Sequence, residues 1–79
     1  MSTRTVEDAV ATALANRLQM DKADIDLDLP MHLLPRIESV VILSVVVDLE
    51  DVLGVAIPDD VPFEAVTARD LAALVQELM

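Results

Sequence analysis

The sequence predicts an all-α protein: a small four-helix bundle with three main helices, one short helix, and a long loop between the first and second. Three observations carry that expectation. The apolar fraction is 54% with Phe63 as the lone aromatic residue, so the core must be built from Leu, Val, Ile, Ala and Met, which suits packed helices. Val6, Val10, Leu14 and Leu18 recur every four residues. Positions 39–53 contain neither Gly nor Pro and run into Gly54, where a helix C-cap is best served by glycine. At 79 residues the chain has room for one domain, spanning 1–79, since a core of this size buries only about 60% of the chain's surface.

The first helix is expected from a capping-box spacing at Thr5 to Asp8, and its pattern fades near Met20. Its polar face carries Glu7, Asp8, Thr12, Asn16 and Gln19. Residues 21–37 follow with Pro30 and Pro35 and the alternation Asp24, Ile25, Asp26, Leu27, Asp28, Leu29. That alternation has the period of a strand, yet a single strand has no partner here. A long ordered loop that drops Ile25, Leu27 or Leu29 into the core is the better reading, and loops of that length are commonly functional.

Ser39 to Leu53 presents a conflict between propensity and length. Val40, Val41, Ile42, Val45, Val46 and Val47 are β-branched and favour strands. The uninterrupted run is too long for an ordinary strand, and Leu43, Val46, Leu49 and Leu53 fall on one helical face. Length decides for a helix. Residues 62–66 allow one short helical turn, and Thr67 with Asp70 forms a second capping-box signature ahead of Leu71, Leu74, Val75 and Leu78.

Charge and composition exclude several functions. Five basic residues against fifteen acidic ones leave a net charge of −10, which repels nucleic acid and anionic membranes and favours partners with Lys or Arg patches. With no cysteine, the chain has neither a disulfide framework nor a thiol nucleophile, which fits a reducing cytoplasm. The start of the chain lacks a basic segment leading into an apolar stretch, and the longest apolar run, 40–47, is interrupted by Ser44 and too short for a membrane span.

Ser39 stands between Glu38 and Val40 at the head of the second helix, and Ala56, Ile57, Pro58, Asp59 and Asp60 close the same segment. A serine at that position has two physical uses. It can cap the free backbone N–H groups, or it can present an attached phosphate to them, favoured by the helix dipole. The order of helix, long loop, acidic residue, Ser39, apolar residue, helix ending near Gly54, Ile57-Pro58-Asp59 and Thr67 to Leu71 resembles the acyl carrier protein family over most of the chain.

That resemblance implies phosphopantetheine borne covalently on Ser39, donated from coenzyme A by a phosphopantetheinyl transferase. The arm would supply the missing thiol and carry cargo as a thioester, raising its effective concentration at each partner enzyme. It implies a non-enzymatic shuttle, with the chemistry left to acyl-, aminoacyl- or ketosynthase-type enzymes of one pathway. Three departures from the family pattern stand out: Arg36 where Gly is usual, Glu38 where Asp is usual, and Val40 where Leu is usual. Arg36 has three candidate partners, the phosphate, Glu38 and Asp48, beside simple solvation.

The resemblance also implies a docking face on the second helix, here Glu38, Val40, Val41, Ser44, Val47, Asp48, Glu50 and Asp51. Val41 and Ser44 replace acidic residues of the family pattern, so this face is more apolar than usual, an apolar contact framed by charge. Part of it could instead pack beneath the long loop. Leu43, Val46, Leu49, Leu53 and Ile57 are candidates for a cleft that shelters an acyl chain, or simply for the core.

Other constellations are weaker. Asp24, Asp26 and Asp28 have the spacing that opens a calcium loop, but Leu29 replaces the required Gly and Pro35 the bidentate Glu, so no metal site is expected. His32 lacks organised co-ligands and is expected on the loop surface. The resulting expectation is a discrete, stand-alone, monomeric carrier of the cytoplasm that works in polyketide, modified fatty-acid or other specialised biosynthesis. An aminoacyl or peptidyl carrier and an unmodified acidic interaction module are the alternatives.

Overall fold

The computed structural model describes residues 3–79 and is built from four helices: α1 (Thr3–Leu18), α2 (Ser39–Leu53), α3 (Val61–Glu64) and α4 (Ala68–Glu77). No strand occurs among the described residues; an isolated bridge joins Pro30 to Thr67. The all-α expectation is met, and α2 has the predicted bounds. α1 packs against both α4 and α2, and α3 closes the other side against α4 and α2.

α1 buries the stripe its sequence marks out, α4 most of its own with Leu78 left exposed, and α2 a shifted one. Val6, Val10, Leu14 and Leu18 of α1 are buried, with Ala11, Ala13 and Ala15 beside them, and α4 contributes Ala68, Leu71, Ala72 and Val75. Small residues on α1 let its neighbours approach closely, which offsets the absence of large aromatic fillers. α2 buries Val45, Val46 and Leu49, whereas Leu43 is 39% exposed. The buried face is thus rotated from the expected one: Val45 joins it and Leu43 moves to its edge, because α2 must face α1 as well as α3.

The start of α1 needs correction, while its end falls where the pattern fades. The helix is already formed at Thr3, so Thr5 and Asp8 lie inside it rather than forming its capping box. Its end is set by Gln19, which takes the left-handed conformation (φ 57°) while Met20 N–H donates to the Ala15 carbonyl at 2.9 Å. That is the geometry in which glycine usually ends a helix.

The long loop is ordered by named contacts. Two short 3-10 turns, Lys22–Asp24 and Met31–Leu33, punctuate it. Ile25 reaches the core as expected, with Leu27 and Leu29 half-buried, but the deeper anchors include Met31 and Leu34, which no periodicity singled out. Arg69 N–H donates to the Leu27 carbonyl at 3.0 Å and Met31 N–H to the Val66 carbonyl at 2.8 Å, tying the loop to the start of α4. The Arg69 guanidinium holds Asp28 at 2.7 and 3.3 Å and Glu7 at 2.9 Å, joining loop, α4 and α1 through one side chain.

The remaining caps follow the sequence. Gly54 ends α2 in the left-handed region (φ 65°, ψ 34°), its N–H bonded to the Glu50 carbonyl. At α4 the Thr67 hydroxyl accepts from Asp70 N–H, and the Asp70 carboxylate accepts from Thr67 N–H at 3.2 Å. No helix among the described residues is long and apolar enough to cross a membrane.

Candidate functional site

Ser39 is the first residue of α2. Glu38 precedes it in extended conformation (φ −141°, ψ 162°) as the residue in the capping position, and its side chain makes no capping hydrogen bond. The first helical bond runs from Ile42 N–H to the Glu38 carbonyl at 3.0 Å. The N–H groups of the first turn are therefore left without a side-chain acceptor, the situation in which a helix start attracts an anion. Ser39 itself is exposed, and its hydroxyl bonds to no described residue. Of the two uses open to the serine, capping is the one the structure does not show.

The face of α2 that carries Ser39 continues through Leu43, Val46, Glu50 and Leu53, by the spacing of three and four. Val46 is buried, Leu53 is half-buried, and the Glu50 carboxylate accepts a hydrogen bond from Ile57 N–H at 2.9 Å. That bond fixes the Ile57-Pro58-Asp59 segment across the C-terminal half of α2 and seats Ile57 in the core. Of the five candidate cleft residues, Val46, Leu49 and Ile57 are core residues, Leu53 lies at the core's edge and Leu43 opens to solvent near Ser39. Leu49 and Leu53 also line a groove of 840 Å³ on the α1 side of α2, with Ala9, Ala13 and Val52. No pattern in the sequence indicated that groove.

An adjacent stripe of α2 faces outward: Val40 is 62% and Val47 53% exposed, with Ser44 between them and Asp51 beyond. Ser44 satisfies its hydroxyl by donating to the Val40 carbonyl at 2.9 Å, leaving the stripe's surface apolar. Glu38 is exposed at its head. The other candidate docking residues have internal engagements: Val41 is half-buried against the core, Glu50 holds Ile57, and Asp48 receives a two-pronged bond from the Arg17 guanidinium at 2.8 Å on each oxygen. The hydrogen bonds from Arg17, and then its charge, hold the Asp48 carboxyl below the usual carboxylate range against the opposing effect of burial.

Arg36 is the least foreseeable part of the site. It adopts φ 62°, the left-handed conformation that glycine reaches without cost. Its Nη1 donates to the Leu18 carbonyl at the end of α1, at 3.4 Å. No ion pair joins it to Glu38, and Asp48, the other candidate carboxylate, belongs to Arg17. His32 is exposed on the loop. Among the described residues no group of three His, Asp or Glu side chains is placed to hold a metal ion. Asp26 instead accepts from Asp28 N–H, and Asp28 is committed to Arg69.

The uncapped start of α2 beside the exposed Ser39 hydroxyl leaves donors that an anionic group could meet. A family model described as the phosphopantetheine attachment site matches residues 8–75, and the chain belongs to that family, the phosphopantetheine-bearing carrier proteins. Neither the curated proteins nor the solved structures compared with the chain give a match. The prosthetic group of the family is covalently attached phosphopantetheine, and its members are generally carriers rather than catalysts. The donor set fits such a group: an unbonded hydroxyl for the ester link and free backbone N–H groups for the phosphate oxygens.

Proposed function

We propose that Ser39 bears the phosphopantetheine arm and that the protein shuttles thioester-bound acyl intermediates among the enzymes of one specialised biosynthetic pathway, without catalytic activity of its own. The observation that carries this reading is the exposed Ser39 hydroxyl at the uncapped start of α2. In the attachment step the Ser39 oxygen would bond to the pantetheine-side phosphorus of coenzyme A as the P–O bond of its pyrophosphate breaks, the nucleotide leaving with the other phosphate and the serine proton passing to a base of the transferase, while the first-turn N–H groups of α2 face the phosphate's negative charge. The arm supplies the thiol that the chain lacks.

The docking face in this reading is the stripe of Val40, Val41, Ser44 and Val47, framed by Glu38, Asp48, Glu50 and Asp51. Its exposed apolar centre supports partners that meet it through apolar side chains set among basic residues. That composition also supports a specialised pathway over housekeeping synthesis, since a partner relying on charge alone finds fewer carboxylates here. An acyl chain entering beside Leu43 would pass Val46, Leu49, Leu53 and Ile57 only by displacing packed side chains. The absence of cysteine supports work in the reducing cytoplasm.

Intact-mass measurement after co-expression with a promiscuous phosphopantetheinyl transferase tests the proposal. The expected result is one phosphopantetheine increment in the protein and none in Ser39→Ala. An unmodified protein with several transferases would instead leave an acidic interaction module.

A further inference from the structure

Two described residues other than glycine take the left-handed conformation, Gln19 and Arg36, and they meet at one place. Arg36 Nη1 bonds to the carbonyl of Leu18, the residue before Gln19. Left-handed backbone costs a residue with a side chain about 1–2 kcal/mol. For Gln19 the cause is local, since the conformation closes the end of α1 through the Met20 to Ala15 bond. For Arg36 it is local too: Arg36 follows Pro35 as the third residue of the turn Leu34–Ile37, closed by Ile37 N–H donating to the Leu34 carbonyl at 3.4 Å, where a type II turn requires positive φ. The turn thereby fixes Arg36 three positions before the candidate attachment serine.

Its present engagement is slight. A donor–acceptor distance of 3.4 Å lies beyond the usual range of about 2.7–3.2 Å, and it uses one of the five N–H donors of the guanidinium. Three other cations are committed to carboxylates, Arg17 to Asp48, Lys22 to Asp8, and Arg69 to Asp28 and Glu7, while Arg4 lies on the first turn of α1. Arg36 is therefore an exposed cation with donors to spare near Ser39. A phosphodiester on Ser39 would add a negative charge at the residue next to Glu38 in the chain, a setting that favours a nearby cation. Three intervening peptide units keep the two Cα atoms within about 11 Å, a gap that an arginine and a phosphorylated serine side chain can close together. Arginine binds phosphate through two parallel charge-assisted bonds, stronger than one long bond to a neutral carbonyl.

We propose that Arg36 exchanges the Leu18 carbonyl for the phosphodiester once Ser39 is modified, holding the root of the arm between its guanidinium and the first turn of α2. This rests on Ser39 as the attachment residue and goes beyond it by assigning the phosphate a side-chain partner. Arg36 is in this sense a positioning residue: it fixes where the arm leaves the surface and stiffens residues 34–38.

Nuclear magnetic resonance of the unmodified and modified protein tests this, with conversion first established by intact mass. Expected is a shift of the Arg36 side-chain Nε–H signal on modification, reversed in about 1 M salt, where charges are screened within about 3 Å. The phosphorus resonance should also differ between the modified parent and modified Arg36→Gln. Modified Arg36→Gly, which suits the left-handed backbone and so guards against misfolding, should match Arg36→Gln. Full conversion with an unmoved Nε–H signal and identical phosphorus resonances in all three proteins would overturn the role of Arg36 and leave Ser39 in place. Absence of any conversion would remove both.

Discussion

The Ser39 hydroxyl meets solvent without a protein partner, so its removal should cost the fold almost nothing. Ser39→Ala is expected to stay within about 0.5 kcal/mol of the parent in urea unfolding, whereas loss of a working helix cap costs about 1 kcal/mol. A loss of that larger size would mean that the serine serves the helix. Asp48 makes the opposite case, since its carboxyl is lowered chiefly by the hydrogen bonds from Arg17. A carboxyl lowered in the folded state contributes stability that is fully present above the ordinary aspartate value near about 3.9 and is lost as pH falls through the folded value. Asp48→Asn should therefore destabilise at neutral pH and converge on the parent in acid; parallel curves from pH 7 to 2 would show that the pair contributes nothing. The family was legible in the sequence because its pieces, Glu38-Ser39-Val40 and Ile57-Pro58-Asp59, are each local. Arg36 with Leu18, and Arg17 with Asp48, were not, because each pair is brought together only when α1 packs against the long loop and α2.

At the scale of the element, α2 is the instructive case. Its valines and Ile42 lose side-chain freedom in a helix, so propensity alone argues against it. The helix forms because Val45, Val46 and Leu49 are buried against the rest of the bundle, and because Gly54 stops it in a conformation other residues resist. Gly54→Ala should destabilise by about 1–2 kcal/mol. Since no atom lies within 4 Å of the added Cβ position, the cost would be backbone strain rather than a clash. A thermal melt unchanged by the substitution would refute that account. The bounds of α2 were readable from its lack of breakers and its terminal glycine. Which of its faces is buried was not, since seven of the nine positions from 39 to 47 are apolar and only the placement of α1 and α3 selects Val45 over Leu43. The start of α1 was misread for a related reason: Thr5 and Asp8 have capping spacing, yet the helix already includes Thr3.

Across the whole molecule, charge is distributed with a direction. Arg17, Lys22, Arg36 and Arg69 all bind on or from α1, leaving the outward stripe of α2 with Glu38 and Asp51 at its ends and valines between. Partners approaching a chain of net charge −10 should be guided by their own basic residues and held by apolar contact. Val47→Ser should then raise the transferase KM by roughly fivefold, equivalent to about 1 kcal/mol of interface energy, with kcat little changed. Added salt should raise the KM of parent and variant alike; a Val47→Ser protein with the parent's KM would place docking elsewhere. The bundle and its carrier character were legible because helix lengths, breakers and the site motif are written locally, whereas the loop's deep anchors Met31 and Leu34 depend on distant partners. The central claim, that Ser39 is where the arm is attached, is most directly tested by fragment-ion mass spectrometry of the modified protein. The account predicts the phosphopantetheine increment on Ser39 alone among Ser2, Ser39 and Ser44; an increment on either other serine, or on a threonine, would contradict it.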